Sequence, residues 1–286
     1  MSHILTWNIQ CGRGVDDRVD LERTADVIKD MADADVICLQ EVSRFDTELD
    51  GGIGADQVAV LSALFPDHVA IFGPALDRLN EGTHQRRQFG NLILSRLPVI
   101  QIFNHLLPQP APAEPCKHMP RQALEVVIET KEGPLRITTT HLEFHCAEQR
   151  LAQAGRIRDV QAEVLANLSY ALTAPASGPY AAIDRPARSI ICGDFNSAPD
   201  DTIYQTLTAP ITNMPGGYRD AWRWVHNQTP HAPTCGIYDH NQWPEGPHCR
   251  DFFFISEDMR ELVSDVQVQI ETDASDHQPV LLSLKN

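Results

Sequence analysis

The sequence predicts an α+β fold built on antiparallel or mixed sheets. Three observations carry this. Short strand-like segments outnumber helical ones, several are joined by tight turns, and they do not alternate one-for-one with helices as a doubly wound parallel sheet requires. The chain has 286 residues, enough to bury a substantial core. No repeat or flexible linker divides it, so one domain over residues 1–286 is expected.

The elements follow in order. Residues 3–9 read as a strand. Residues 20–31 read as a helix, with Leu21, Ala25, Ile28 and Met31 on one face and Asp20 as N-cap. Residues 35–42 (DVICLQEV) are an apolar, β-branched run that predicts a buried strand. Residues 57–65 look helical, and 68–73 and 90–95 look like strands. Strands are also expected at 99–107, 122–130 and 135–142, the last two joined by the hairpin-like turn Lys131-Glu132-Gly133-Pro134. Residues 147–168 give the longest helix, with Leu151, Ala154, Ile157 or Arg158, Gln161, Leu165 and Leu168 at near-helical spacing. A buried strand at 189–193 and strands at 252–256, 263–270 and 279–284 complete the chain.

Three stretches read as surface loops. Residues 77–88 carry His84, Arg86 and Arg87, residues 108–120 hold five prolines, and residues 228–250 are rich in histidine and include Trp243. Long loops in compact domains often bind ligand. Arg86 and Arg87 are either a solvated pair or a clamp for a second phosphate. His231, Cys235, His240, His248 and Cys249 match no standard zinc spacing, so loop roles or substrate contacts are expected of them.

The chain carries 39 acidic residues against 23 basic ones, a formal charge of −16. That disfavours gripping nucleic acid through many phosphates, which calls for a basic face. It suits a site that collects a cation. Seven cysteines occur without any Cys-x-x-Cys pair, and Cys38 and Cys192 sit in apolar runs as small hydrophobes do. A reduced, cytoplasmic setting is expected. No basic segment followed by an apolar run opens the sequence, and no run approaches the ~18–20 apolar residues that span a bilayer, so neither a leader nor a membrane span is expected. No protein partner is indicated.

Polar side chains able to bind metal or phosphate recur at the ends of the apolar strands. Asn8 ends the first, Glu41 the DVICLQEV strand, and His141 follows Ile137-Thr138-Thr139-Thr140. Asp194 and Asn196 follow Ile190-Ile191-Cys192-Gly193, and Asp276-His277 precede the last strand. Strand ends hold side chains on a rigid scaffold while leaving them open to ligand. Glu41 and Asp276 are hard carboxylates suited to Mg²⁺ or Mn²⁺. Asn8 can supply an oxygen or a donor. His277 can take up charge near neutral pH, and Asp251 could orient its imidazole. His141 and Asn196 can donate to phosphate oxygens where charge builds. Asn91 either holds a loop near the site or satisfies backbone groups, and Arg121 is a candidate phosphate contact. Each residue alone could be structural; an ordinary turn or solvated carboxylate would have to explain all of them at once.

These segments resemble the endonuclease/exonuclease/phosphatase superfamily, with its DNase I-like fold. The matching stretches are Thr6-Trp7-Asn8-Ile9, Leu39-Gln40-Glu41-Val42, Gly90-Asn91-Leu92-Ile93-Leu94-Ser95-Arg96, Thr140-His141-Leu142, Gly193-Asp194-Phe195-Asn196 and Ser275-Asp276-His277-Gln278-Pro279-Val280. They stand in the family's order from residue 6 to residue 280. The resemblance implies a four-layer α/β sandwich, two mixed, mostly antiparallel sheets packed face to face with helices outside. It also implies a Mg²⁺-dependent attack of water on phosphorus. By position, Glu41 would bind the metal with Asn8 nearby, and Asp276 would help bind it or position His277. Asp194 would hold or activate the water. Asn196 and His141 would stabilise the developing charge, and His277, paired with Asp251, would contact the phosphate or move a proton. The base is left open between these groups. One departure stands out: where the family often reads Arg-Ile-Asp-Tyr-Ile-Phe, this chain has Cys249-Arg250-Asp251-Phe252-Phe253-Phe254. Asp251 stays in register, but Arg250 is displaced by one position, which in a strand changes its face.

The substrate class is open at this level. A small phosphorylated molecule or lipid headgroup fits the acidic charge. A nuclease or DNA-repair phosphodiesterase would need a basic, aromatic-bearing surface, to which Arg86, Arg87, Arg96, Trp222, Trp224 and Trp243 could contribute. A catalytically inactive binding protein should have lost Glu41, Asp194 or His277, and all three are present.

Overall fold

The computed structural model describes residues 2–169, 177–181, 185–214 and 217–285. Among these, the apolar runs form twelve strands: β1 (Ser2–Asn8), β2 (Val36–Arg44), β3 (Val69–Leu79), β4 (Arg86–Ser95), β5 (Val99–Leu106), β6 (Gln122–Thr130), β7 (Gly133–His141), β8 (Ser189–Asp194), β9 (Arg219–Asp220), β10 (Asp251–Ile255), β11 (Val263–Val268) and β12 (Val280–Leu284). Five helices accompany them: α1 (Leu21–Met31), α2 (Gln57–Leu64), α3 (Ala147–Leu168), α4 (Thr202–Thr208) and α5 (Ala221–His226).

The strands make two six-stranded sheets, ordered β11-β12-β1-β2-β4-β3 and β5-β6-β7-β8-β10-β9. Neighbours are antiparallel except for one central pair in each sheet, β1 with β2 and β7 with β8. A parallel pair needs a long crossover. α1 supplies the first, starting where the Asp20 carboxylate accepts from the Arg23 N–H. α3 supplies the second.

Period-two alternation then builds the layers. Ile4, Val36, Cys38 and Ile93 of the first sheet meet Leu124, Val126, Ile137, Ile190 and Cys192 of the second in a core between the sheets. The alternate residues Leu5, Ile37 and Leu39 pack outward on α1 and α2. Ile191 packs outward against Ala154 and Ile157 of α3 and Ile203 and Leu207 of α4. The result is the expected four-layer sandwich of helix, sheet, sheet and helix.

Two differences from the sequence reading have local causes. The stretch 77–88 is largely not a loop: β3 and β4 stay paired from Asp77↔Gln88 through Leu79↔Arg86. Its charged residues hid the strands. Arg86 pairs with Asp77 at 2.6 Å and Arg87 with Glu48 at 3.2 Å, all on this hairpin or the loop beside it, so they form a solvated pair rather than a phosphate clamp. α4, α5 and β9 are too short to carry periodic signal. α4 and α5 are instead started by Asp201 and Asp220, each accepting two backbone N–H groups.

Candidate active site

Both parallel pairs end at the same edge of the sandwich. Towards that edge the inter-sheet core turns polar: the buried Gln40 amide donates to Thr6 Oγ1 at 3.0 Å and Thr139 Oγ1 at 2.8 Å, stitching the sheets together. Just beyond, Asn8, Glu41, His141 and Asp194 converge.

Local backbone departures aim these groups. β2 bulges where Leu39 faces Leu92 but Val42 faces Gly90, and Glu41 within the bulge has φ 56°. A bulge re-aims a side chain and costs backbone strain, a cost that persists where a site uses the geometry. On β8, Gly193 has φ 130°, and a Cβ there would collide with the Thr140 carbonyl. Only glycine lets β8 approach β7 this closely and carry Asp194 into the cleft. Asn196, with φ 49°, donates its backbone N–H to Asp194 Oδ1 at 2.8 Å and its amide to the Leu142 carbonyl at 2.9 Å.

The polar contacts form one connected set. Asn8 Nδ2 donates to Glu41 Oε1 at 3.0 Å and across the sheets to Asp194 Oδ2 at 3.1 Å. Its amide oxygen accepts the Gln10 N–H at 3.1 Å. Asn8, expected among the metal ligands, thus bridges the Glu41 and Asp194 carboxylates through its amide nitrogen. His277 Nδ1 lies 2.8 Å from Asp251 Oδ2, and its Nε2 lies 3.7 Å from Asp194 Oδ2. His141 Nε2 stands 3.3 Å from the same Asp194 oxygen, and its buried Nδ1 has no hydrogen-bond partner. Ser275 Oγ donates to the Asn8 carbonyl at 2.8 Å and approaches Asp276 Oδ1 at 3.3 Å, docking the Asp276-His277 segment on β1.

Burial and charge set the protonation states. Burial and the nearby Asp276 carboxylate push Glu41 up to about 7. Burial likewise raises Asp276, and it lifts Asp251 to about 6 against the pull of His277. Burial would depress His277, but Asp251, Asp194 and Asp276 outweigh it and hold the imidazole charged well above its usual range. Burial and the Arg121 charge press His141 down to about 3, so it is neutral. Asp194 stays below the usual carboxylate range: burial is outweighed by the charged His277 imidazole and the hydrogen bonds from the Asn196 N–H and the Asn8 amide.

This donor set fits a hard cation. Glu41 and Asp276 are two oxygen donors on the cleft, and burial with the Asp276 charge keeps Glu41 costly to ionise despite Asn8, Arg121 and His277, a cost that a divalent ion would relieve. Ligand-capable atoms of Asp194, Asp251 and His277 also lie within 4.8 Å of one another. There, however, the charged imidazole already fills the cation's place. Of the histidines and cysteines in 228–250, Cys235 Sγ meets His248 Nε2 at 3.2 Å while Cys249 Sγ donates to the Asp251 carbonyl, which is loop and strand packing rather than a metal cage.

Arg121 lines the cleft with Glu41 and His141, and its Nε donates to Glu143 Oε2 at 3.4 Å. Asn91 stands behind the cleft lining: its buried amide donates to the Gln122 carbonyl at 3.4 Å, bridging β4 to β6. Of the two roles expected of Asn91, this bond is of the kind that satisfies a backbone group. Phe144, Gln242 and Trp243 also line the cleft, and the sequence reading had not placed them there. Trp243 is 2% exposed, so it adds no aromatic surface for nucleic acid. The available signal was a tryptophan inside an otherwise polar loop.

A two-sheet sandwich with a carboxylate–imidazole cleft where both parallel pairs end is the DNase I-like architecture. The chain belongs to the Endonuclease/Exonuclease/phosphatase family, whose profile matches residues 5–277, and members of that family are phosphoester hydrolases. Among solved structures it is similar to an endonuclease/exonuclease/phosphatase from Beutenbergia cavernae, at 23% identity and TM-score 0.70, covering 99% of this chain and 71% of that one. It is similar to a mannosyl-6-phosphatase from Bacteroides thetaiotaomicron, at 16% identity and TM-score 0.66, covering 100% of both chains. It is also similar to the 3′ phosphatase NExo from Neisseria, bound to a product DNA hairpin, at 17% identity and TM-score 0.61, covering 100% of both. No curated protein matches the chain. No helix among the described residues is long and apolar enough to cross a membrane.

Proposed function

We propose that this chain is a single-domain, divalent-metal-dependent phosphoesterase that hydrolyses a P–O bond of a small phosphorylated molecule or lipid headgroup. The observation that carries the reading is the charge layout on one cleft: an anionic Asp194, a charged His277 braced by Asp251, and the Glu41–Asp276 carboxylates beside them.

Glu41, with Asp276, would hold Mg²⁺ or Mn²⁺, while Asn8 orients the Glu41 carboxylate. A cation bound there neutralises phosphate charge and polarises the P–O bond. Asp194, fixed through both oxygens by Asn8 and Asn196, orients the attacking water by accepting its hydrogen bond. Asp251 holds His277 so that Nε2 presents its proton to a phosphate oxygen or the leaving group. His141, neutral and paired to no donor at Nδ1, and Arg121 complete the polar wall around the charge that builds on phosphorus.

The rim supports a small substrate. Exposed Glu114, Glu148 and Glu245 lie on or beside the loops that wall the cleft, in a chain of charge −16. A polyanion would be repelled there. Nucleic acid is the second reading, favoured by the likeness to the Neisseria 3′ phosphatase. A cytoplasmic setting, expected from cysteines without any Cys-x-x-Cys pair, belongs to the same reading.

The test is a hydrolysis screen of wild type and Asp194→Ala with Mg²⁺, Mn²⁺ or EDTA, across sugar, inositol and lipid-headgroup phosphates, a generic phosphodiester, and single- and double-stranded DNA. Cleavage of a small ester that EDTA and Asp194→Ala both abolish is expected. Full activity in EDTA would remove the metal role, and DNA as the sole substrate would replace the first reading with the second.

A further inference from the structure

The loop 228–250 delivers one large side chain to the floor of the cleft. Trp243 is 2% exposed although its neighbours Gln242 and Glu245 face solvent. Its indole Nε1–H donates to Asp276 Oδ2 at 3.3 Å. The ring meets His277 edge-on, with centroids 5.6 Å apart and an 81° interplanar angle. One side chain thus touches both a carboxylate of the proposed cation pair and the charged imidazole.

A latch holds the indole. The Arg250 guanidinium lies 4.8 Å from the Trp243 ring centroid, a cation–π contact. Its Nε donates to His248 Nε2 at 2.8 Å, which makes that nitrogen an acceptor, and His248 Nδ1 then donates to the Gly246 carbonyl at 2.7 Å. This fixes one tautomer and one direction for Arg250. The one-residue displacement of Arg250 seen in the sequence has a consequence here: the guanidinium covers Trp243 instead of serving the strand.

We propose that Trp243 is a positioning residue for the hydrolysis: its N–H sets the Asp276 carboxylate, its ring edge seats His277, and the Arg250–His248 pair holds the indole in place. This rests on the phosphoesterase reading. Asp276 has Ser275 Oγ near one oxygen and the indole N–H at the other, so its orientation is set from both sides. Without the N–H, the buried Asp276 carboxylate loses the donor that holds one of its oxygens, and it is free to turn. Supporting groups of this kind commonly govern metal affinity as well as turnover.

Trp243→Phe keeps the ring and deletes the N–H. It is compared with wild type, Asp276→Ala and the double variant, each checked for folding by circular dichroism. kcat and KM are read on bis(p-nitrophenyl) phosphate and p-nitrophenyl phosphate with Mn²⁺, and Mn²⁺ affinity by titration calorimetry. A hydrogen bond to a charged group is worth enough to predict about a tenfold or greater fall in kcat with KM little changed, and a several-fold weaker Mn²⁺ affinity. In the Asp276→Ala background, where the acceptor is gone, the same substitution should do nothing further, because the two act as a unit. Additive losses, or unchanged kcat and Mn²⁺ affinity in Trp243→Phe, overturn the proposal. If wild type cleaves neither ester, the phosphoesterase reading loses its support, and the calorimetric cycle alone still decides the positioning role. If Trp243→Phe does not fold, Arg250→Gln takes its place: a parallel fall in Mn²⁺ affinity supports the latch, and no change overturns it.

Discussion

His277 and Asp251 behave as one unit at the residue scale. The imidazole is 2% exposed and keeps its charge only because three carboxylates surround it, with Asp251 in direct contact at 2.8 Å. Removing the imidazole should remove a positioned proton donor, and such groups are worth ~10²–10⁴ in rate. We therefore expect His277→Ala to lower kcat by about that factor, with the fold retained by near- and far-ultraviolet circular dichroism. Asp251→Asn should lose less, and should also move the acid or base limb of the pH–rate profile, because it acts through the ring. An unchanged profile in Asp251→Asn would mean that the pair is structural. Strain is placed at this scale too: Glu41 and Asn196, both at positive φ, are the residues whose side chains must leave the regular strand direction to reach the cleft.

The elements differ in how openly the sequence announces them. DVICLQEV and Ser189–Asp194 are buried on both faces, so their apolar runs were unambiguous, and α3 matched its residues 147–168 because 22 residues hold many turns of periodic signal. The strand ends could be read as site positions because polar residues abruptly follow apolar ones. What could not be read depended on distant partners. The β3–β4 hairpin looked like loop because its Asp, Arg and Gln residues pair across strands, and Trp243 looked like surface because only the fold puts Asp276 and His277 beneath it. Buried Glu125 on β6 belongs to the same category. It contacts Arg136 of β7 at 3.3 Å and Arg185 at 2.9 Å. Burial opposes its charge, yet His105, Arg136 and Arg185 prevail and lower it to about 2. An unfolded glutamate titrates near ~4.3. The depressed value therefore adds stability that is complete above about 4.3 and is lost as pH falls towards 2. Urea unfolding of wild type should weaken more between about pH 5 and 3 than that of Glu125→Gln, which has no such proton to take up. Equal pH slopes for the two chains would rule the network out as the source.

At the scale of the whole molecule, the cleft lies where two sheets meet, so whatever binds there also clamps the sheets together. Asn8 of the first sheet and Asp194 of the second already touch across it. In the same place burial and the Asp276 carboxylate raise the cost of ionising Glu41. Like-charged carboxylates gathered for a ligand make the ligand-free protein less stable than it could be, a common trade between activity and stability. A bound cation removes that cost and binds only the folded chain, stabilising it by RT ln(1 + [L]/Kd), or ~2.7 kcal/mol at a hundredfold excess over Kd. In a chain of this size that corresponds to a rise in Tm of roughly 4–5 °C. Thermal melts with and without Mn²⁺ should show such a rise in wild type. Glu41→Gln should melt no lower than wild type in EDTA, since the repulsion is gone, and should lose most of the Mn²⁺ response. A Glu41→Gln chain that is less stable in EDTA yet still gains the full Mn²⁺ increment would show that Glu41 serves the fold and that the cation is held elsewhere, with the Asp194–Asp251–His277 cluster the next place to mutate.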